Sequence, residues 1–382
     1  MATPVRFPAG LSTFPRRSTL NTFPLATSPS LIAQIEDFMG YDVDDFTVTQ
    51  TNGTVAAIGA TGAVIKLSTS GGGATDKVML ARNTQAVQFI QGAQVWFSQR
   101  VAYPRTVGNT NDTNIYMGIF DNADPTAASN GIYFLKPTGG TFVNFIIKTA
   151  AGTTTFQHVA DLARPSGLYG DLNSTNGTLT AVVAGNAFTG ISVATAGAGY
   201  MVPPLCLATS TSGGTAGNIP VTCGLASTSY NVGNPIMPIY TTGLRYESLY
   251  SPVVAVPGSG YTNTTGATTY IEIEPWIDLQ FYFDGKNTLA VGVNGRTVMT
   301  IGAAGQSSVA AGGTIDLATV GFNSFASTTQ LSTAICPVQP VTGSVYNLVP
   351  LVPMGIAAGF ANTSANARAF YLKEFALAVE SR

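Results

Sequence analysis

Hydrophobic and polar positions alternate with a period of two along most of this chain from about residue 43 onward. Val95-Trp-Phe-Ser-Gln-Arg-Val, Ile115-Tyr-Met-Gly-Ile-Phe, Gly131-Ile-Tyr-Phe-Leu and Phe142-Val-Asn-Phe-Ile-Ile-Lys are typical, and Gly, Asn, Pro and Thr turns separate them. β-Branched and aromatic residues in such short alternating runs predict half-buried strands. Their regular spacing predicts a sandwich, since no amphipathic helical pattern longer than about three turns follows residue 40. One short helix is expected earlier, where Ser30 caps Leu-Ile-Ala-Gln-Ile-Glu-Asp-Phe with apolar residues at helical spacing. The pattern is that of an all-β protein.

A hairpin is legible at Asp278-Leu-Gln-Phe-Tyr-Phe-Asp-Gly-Lys-Asn and Thr288-Leu-Ala-Val-Gly-Val-Asn-Gly. Asp284-Gly285 opens one turn and Asn294-Gly295 makes the next, both pairs in which positive φ costs little. This order of strand, Asp-Gly, strand, Asn-Gly and strand resembles the meander of concanavalin-like and laminin-G-like jelly rolls. The resemblance implies a jelly-roll β-sandwich that the strand from Tyr371 to Glu380 closes next to an N-terminal arm. Both ends of the chain then belong to one domain, built from residues 31–174 and 269–382.

Residues 175–268 read as an inserted β-rich domain, and they hold the chain's one convincing internal repeat. Ile191-Ser-Val-Ala-Thr-Ala-Gly-Ala-Gly-Tyr is matched by Val253-Val-Ala-Val-Pro-Gly-Ser-Gly-Tyr, with Tyr200 and Tyr261 in register. No helix follows either Gly-x-Gly-Tyr, and neither a Lys nor a Ser/Thr stands where a phosphate loop needs one. The expected structure is a tight turn with the tyrosine packed back over glycine.

Residues 1–30 read differently again, as an extended arm. Pro4, Pro8, Pro15, Pro24 and Pro29 exclude a helix. Phe7, Leu11, Phe14, Leu20, Phe23 and Leu25 make the arm apolar enough to dock on a surface, each large side chain contributing roughly 1.5–3 kcal/mol on burial. The same 30 residues hold no apolar core segment and so do not read as a secretory signal.

Composition changes the picture most in the middle of the chain. Leu172 to Leu244 contains no charged side chain, and from there to Glu272 only Arg245 and Glu247 are charged. Overall 9% of residues are charged and 45% hydrophobic, against about a quarter charged in ordinary soluble domains. Neighbouring molecules or hydroxyl and amide groups must therefore satisfy much of the surface, which suits a particle component and copies of itself as partners, as a dimer or trimer. A net charge of −2 leaves no electrostatic footprint for nucleic acid. Mean hydropathy is +0.25, yet no run of 18 apolar residues exists for a membrane span. Cys206, Cys223 and Cys336 form an odd set without metal spacing and read as buried free thiols, as expected after assembly in a reducing cytoplasm.

Gly199-Tyr-Met-Val-Pro-Pro, Ser212-Gly-Gly-Thr-Ala-Gly, the Phe-Pro-rich opening and Ala361-Asn-Thr-Ser-Ala-Asn-Ala-Arg resemble segments of podovirus-type tailed-bacteriophage virion proteins. That resemblance implies a capsid decoration (cement) protein or head fibre. It is not similar to the major capsid fold, which needs a long spine helix.

Candidate chemistry is sparse. His158 is the only histidine, with Asp161 three residues on and no nucleophile elbow, so a solvent-facing or hydrogen-bonded strand-end histidine is expected. Glu272, Glu274 and Asp278 flank Trp276; paired acids beside an aromatic ring are the apparatus of glycoside hydrolysis. Pro275 interrupts that strand, however, and exposed acids on an edge strand also serve to prevent sheet pairing. Asp42, Asp44 and Asp45, and the loop Asn109-Thr-Asn-Asp-Thr-Asn, are oxygen-rich enough for calcium but lack the EF-hand pattern and read as solvated turns. Exposed Tyr and Asn would suit stacking on a sugar.

The expectation is a non-enzymatic virion structural protein without cofactor or catalytic residue. It would bind the major capsid protein from outside through Phe7, Phe14, Arg16, Arg17 and Phe23. The alternative is a host-glycan or receptor-binding module of a head fibre or tail.

Overall fold

A computed structural model describes residues 11–12, 22–23, 31–38, 42–58, 64–83, 87–103, 112–171, 174–184, 187–210, 219–227, 247–254, 269–302, 307–318, 336–341 and 344–381. Two large sheets face one another across a single hydrophobic core. The first has ten strands. Its path runs Ser307–Val309, Cys336–Pro340, Arg296–Ile301, Leu289–Val293, Ile277–Phe283, Ala93–Ala102, Ala369–Ser381, Val64–Thr69 and Gly53–Ile58, with Leu31–Glu36 also paired to Ala369–Ser381. The second has eight, in the order Thr314–Asp316, Gly152–Asp161, Phe142–Thr149, Gly131–Lys136, Thr113–Phe120, Gly355–Asn362, Lys77–Arg82 and Phe46–Thr51. The expected all-β jelly-roll sandwich is what forms.

Alternation dictates which side chains meet. On the ten-stranded sheet Val95, Phe97, Val101, Leu279, Phe281 and Phe283 point inward; on the eight-stranded sheet Ile115, Met117, Ile132, Phe134, Phe145 and Ile356 do. Phe97 stacks on Phe281 at 4.9 Å and 17°, and Phe145 of the opposite sheet meets Phe281 at 6.0 Å. Phe375 bridges the sheets a second time, edge-on to Phe46 at 6.1 Å. Offset and edge-on ring pairs add about 0.5–1.5 kcal/mol each beyond burial.

The hairpin forms as its turn residues require. Ile277–Phe283 pairs with Leu289–Val293, and Val293 pairs with Arg296 across a two-residue loop. Asn294 (φ 49°) and Gly295 (φ 77°) are both left-handed, the conformation of a type I′ turn. The Asn294 amide also fastens the turn to the body: Asp278 N–H donates to its Oδ1 at 2.7 Å, and its Nδ2 donates to Ser166 O at 2.7 Å.

The helix expected over Leu31 to Phe38 does not form. Leu31–Glu36 is a strand, antiparallel to Ala369–Ser381 with Ile35 opposite Ala376. Unpaired backbone on the long C-terminal strand offers six residues a ladder, and that tertiary pairing outweighs weak local helical spacing. The expected closing strand thus pairs with the segment that follows the arm; the arm itself lies outside the described residues apart from 11–12 and 22–23.

Between the halves of the sandwich the chain makes separate small sheets. Thr178–Ala184 pairs with Ala187–Thr195, and a four-stranded sheet runs Glu247–Val254, Ile219–Ser227, Leu205–Ser210, Thr269–Glu274. Tyr200 is buried, and its hydroxyl accepts from Gly177 N–H at 2.9 Å, while Gly197 and Gly199 before it are left-handed. That is the turn with tyrosine packed back over glycine; Tyr261 lies outside the described residues. Cys206 is buried on Leu205–Ser210 with its thiol donating to Pro204 O at 3.8 Å, and it stands opposite Val221 rather than Cys223.

Candidate functional site

The outer face of the eight-stranded sheet carries the most developed surface chemistry. Tyr116, Gly118 and Phe120 alternate outward from one strand and Tyr133 and Leu135 from its neighbour. Beyond them lie Ile146 of the next strand and Ala357 and Ala81 on the other side. Phe120 and Tyr133 meet at 4.8 Å, and burial pushes the Tyr133 hydroxyl up to about 12.

The connection from Asp121 to Asn130 folds back over these rings, setting Ala123 and Ala128 against them. Its ends are closed by Asp121, whose carboxylate accepts from Ser129 N–H, Asn130 N–H and Asn130 Nδ2 at 2.8–3.0 Å. Lys77 holds one side through Asp124 at 2.5 Å, and Lys148 holds the other by donating to Ala128 O. Burial raises the Asp124 carboxyl, but Lys77 and Thr126 outweigh it and hold that group below the ordinary carboxylate range.

A cavity of about 190 Å³ opens where this connection meets the strand ends. Ala81, Phe120 and Ala357 line it from the outer face, the backbone stretch from Pro353 to Ile356 lies along it, and Arg82, Asn83, Asp121 and Asn122 are its polar residues. Arg82 donates to Glu36 at 2.9 Å and Asn83 to Asp44 O at 2.8 Å, so both are held in place. Asn122 is exposed; its Oδ1 accepts from Asp124 N–H at 2.9 Å, and among the described residues its Nδ2 has no partner. The site sets apolar Ala81, Phe120 and Ala357 beside Arg82, Asn83, Asp121 and Asn122. Among the described residues of its wall there is no histidine, cysteine or serine to act as nucleophile or base.

A second feature occupies the opposite corner of the same face. His158 sits at a bulge in Gly152–Asp161, where the register against Phe142–Thr149 shifts between Val143 and Phe145. Its φ is 62°, an unusual conformation for a side-chain-bearing residue. Asn144 Oδ1 accepts from His158 N–H at 3.2 Å, and Nδ1 meets Asp316 Oδ1 at 2.6 Å. The imidazole lies between Phe142 (4.7 Å) and Tyr169 (4.3 Å), and all three rings are half-buried. Its partner is thus Asp316, 158 positions away, and not the nearby Asp161, which accepts from Thr141 and faces Arg164.

The paired-acid reading is altered by burial. Glu274 is fully buried at the end of Thr269–Glu274, which overturns the expectation of an exposed edge acid there. Asp278 receives a two-pronged ion pair from Arg100 at 2.6 and 2.9 Å. Trp276 is buried against Leu205, Ala102 and Tyr371, closing the space a substrate ring would need. Asp42 caps the turn Val43–Asp45 by accepting from Asp44 N–H, and Asp112 accepts from Arg368 twice at 2.7 Å. Among the described residues no group of three or more His, Cys, Asp or Glu is placed to hold a metal, and no helix is long and apolar enough to cross a membrane.

Phe7, Phe14, Arg16 and Arg17 lie outside the described residues. Phe23 is in the short strand Thr22–Phe23, with its backbone opposite Leu11. Sequence reasoning missed Arg82, Asn83, Asp121 and Asn122. The available signal was polar residues at the ends of alternating runs, Arg82-Asn83 and Asp121-Asn122, which only strand register brings together.

No protein-family model and no curated protein matches this chain. Among solved structures it is similar to the cellulose induced protein Cip1, with 8% identity, a TM-score of 0.34 and 91% of this chain covering 97% of that one. It is also similar to the Emp47p carbohydrate recognition domain, with 9% identity, a TM-score of 0.33 and coverage of 92% and 98%. The basic winged bean lectin solved with Tn-antigen gives 8%, 0.30, and 92% and 98%. None of these three is described as a virion protein. At such identities and scores the likenesses carry no argument about function.

Proposed function

We propose that this chain is a non-enzymatic glycan-binding module whose sugar site is the cavity between Arg82-Asn83 and Asp121-Asn122. One observation carries the reading. A cavity of about 190 Å³ brings the outward-facing apolar residues Ala81, Phe120 and Ala357 beside the polar residues Arg82, Asn83, Asp121 and Asn122. Pockets that orient small ligands combine an apolar wall with a few fixed polar groups, and this one has room for a single ring rather than a large ligand. A sugar ring has that two-sided chemistry, with C–H faces and hydroxyl edges. Asn122 has an unused Nδ2 to donate, while Arg82 and Asn83 are held by Glu36 and Asp44 O.

The test is a glycan array followed by calorimetry with the wild type and N122A. The reading predicts saturable binding to a defined glycan and an affinity loss of about tenfold in N122A, the value of one lost hydrogen bond of about 1.4 kcal/mol. Absence of any saturable glycan ligand for the wild type overturns it.

A second reading concerns the setting. The uncharged stretch from Leu172 to Leu244 favours a chain that works within an assembly, as a decoration protein on a phage capsid or as the glycan-binding part of a head fibre or tail. Phe7, Phe14, Arg16, Arg17 and Phe23 would dock the arm onto a neighbouring subunit. Deleting residues 2–25 should then leave a folded domain that no longer pellets with capsids lacking this protein; retained pelleting refutes the arm's role.

A further inference from the structure

We infer that the His158 corner is a second sugar subsite, and that the ligand is an extended, uncharged polysaccharide chain rather than an isolated sugar. This rests on the glycan-binding reading above and adds the ligand class. Three observations lead here.

The first is strain. A non-glycine residue at φ 62° persists only where its surroundings over-determine it, and such outliers gather at binding sites. Here the bulge and the Asn144 acceptor fix the backbone, and bulges commonly re-aim a side chain beside a functional site.

The second is the imidazole's polarity. Nδ1 is engaged by Asp316 at 2.6 Å, whereas Nε2 has no partner among the described residues. The His158 side chain keeps 19% exposure, so the ring is within reach of a ligand. The half-buried Phe142 and Tyr169 flank it with ring surface for the C–H face of the same sugar. Aromatic rings paired with an adaptable polar atom suit a neutral polyhydroxylated ligand.

The third is placement. Phe142 and Lys148 are outward positions on one strand, and Lys148 registers through Gly131 with Phe120 at the cavity. Six residues of strand put the two sites about 20 Å apart along one sheet face, with the pinned connection Asp121 to Asn130 between them. One sugar ring cannot reach both; a chain of several can. Occupying both sites with one molecule makes the second contact intramolecular and raises affinity with chain length.

The experiment uses the full chain and, as probes, the disaccharide and hexasaccharide of whichever neutral homopolymer (β-glucan, xylan, mannan or starch) the array selects. Titrations compare wild type, H158G and Y169A. Glycine adopts φ 62° freely, so H158G removes the imidazole while keeping the bulge. The inference predicts that the wild type binds hexasaccharide at least about tenfold tighter than disaccharide, and that H158G and Y169A each lose most of that gain. Both variants should bind disaccharide as the wild type does, which also reports that they are folded. Equal affinity of the wild type for both lengths overturns the inference, as does a length gain unchanged in both variants. Wild type that binds disaccharide in these cases leaves the cavity reading standing; wild type that binds neither overturns both.

Discussion

Glu374 offers a quantitative test of how the ten-stranded sheet handles buried charge. It follows a register shift in Ala369–Ser381 and sits opposite Arg100, yet Arg100 is already committed to Asp278, leaving Nη1 4.0 Å from the Glu374 carboxylate. Its side chain is 13% exposed. Burial, with Asp278 and Asp37 nearby, pushes the Glu374 carboxyl up to about 7, against the opposing pull of Arg100 and Lys373. The ordinary value is 4.5, so the shift amounts to about 2.5 pH units, or about 3 kcal/mol at 1.36 kcal/mol per unit.

The sign follows from which state holds the proton. Between about pH 4.5 and 7 the folded state binds a proton that the unfolded state has released, so stability falls as pH rises through that window and levels off above it. Glutamine mimics the protonated side chain and removes the titration. Urea unfolding followed by tryptophan fluorescence should therefore find E374Q and wild type equally stable near pH 4.5. By pH 8, E374Q should be more stable by about 2–3 kcal/mol, somewhat under the full linkage value because neighbouring groups relax. A wild-type minus E374Q difference that stays flat from pH 4.5 to 8 would refute the reasoning.

Other substitutions probe the same framework. D278A removes the two-pronged partner of the buried Arg100 guanidinium, leaving Glu374 only at 4.0 Å, and should cost about 3–5 kcal/mol in urea unfolding, whereas the double variant R100M/D278L should cost less. N294A should lose about 3 kcal/mol of thermal stability. Alanine resists positive φ by about 1–2 kcal/mol, and the buried Ser166 O and Asp278 N–H lose partners. N294G keeps the turn and should recover the backbone part of that loss.

How much of this was legible in the sequence depended on the range of the interaction. Strands such as Val95 to Val101 and Ile115 to Phe120 were readable because β-branched and aromatic residues recur on their core face, a local property, although Ala93–Ala102 is buried on both faces and not half-buried as expected. The Asn294-Gly295 turn was readable for the same reason, since two left-handed residues in succession favour that pair. Leu31 to Glu36 was misread because its state is decided by Phe375 to Glu380 at the other end of the chain. His158 was legible as a histidine without catalytic partners, but neither its place at a bulge within Gly152–Asp161 nor its partner Asp316 was, because a parallel pairing with Thr314–Asp316 joins them. The cavity was invisible for a related reason: Arg82 and Asn122 lie at the ends of strands that are not neighbours in sequence. Glu274 illustrates the reverse error, where an edge strand suggested exposure and packing against the body buried it.

The central claim is that glycan lies on the outer face of the eight-stranded sheet, and the crystal structure of the protein with its array-selected hexasaccharide tests it most directly. The account predicts sugar density in the cavity beside Asn122, continuing across the face toward Tyr169. Density for the sugar elsewhere, on the ten-stranded sheet or the small sheets between residues 178 and 274, with the Asn122 cavity empty, would contradict it.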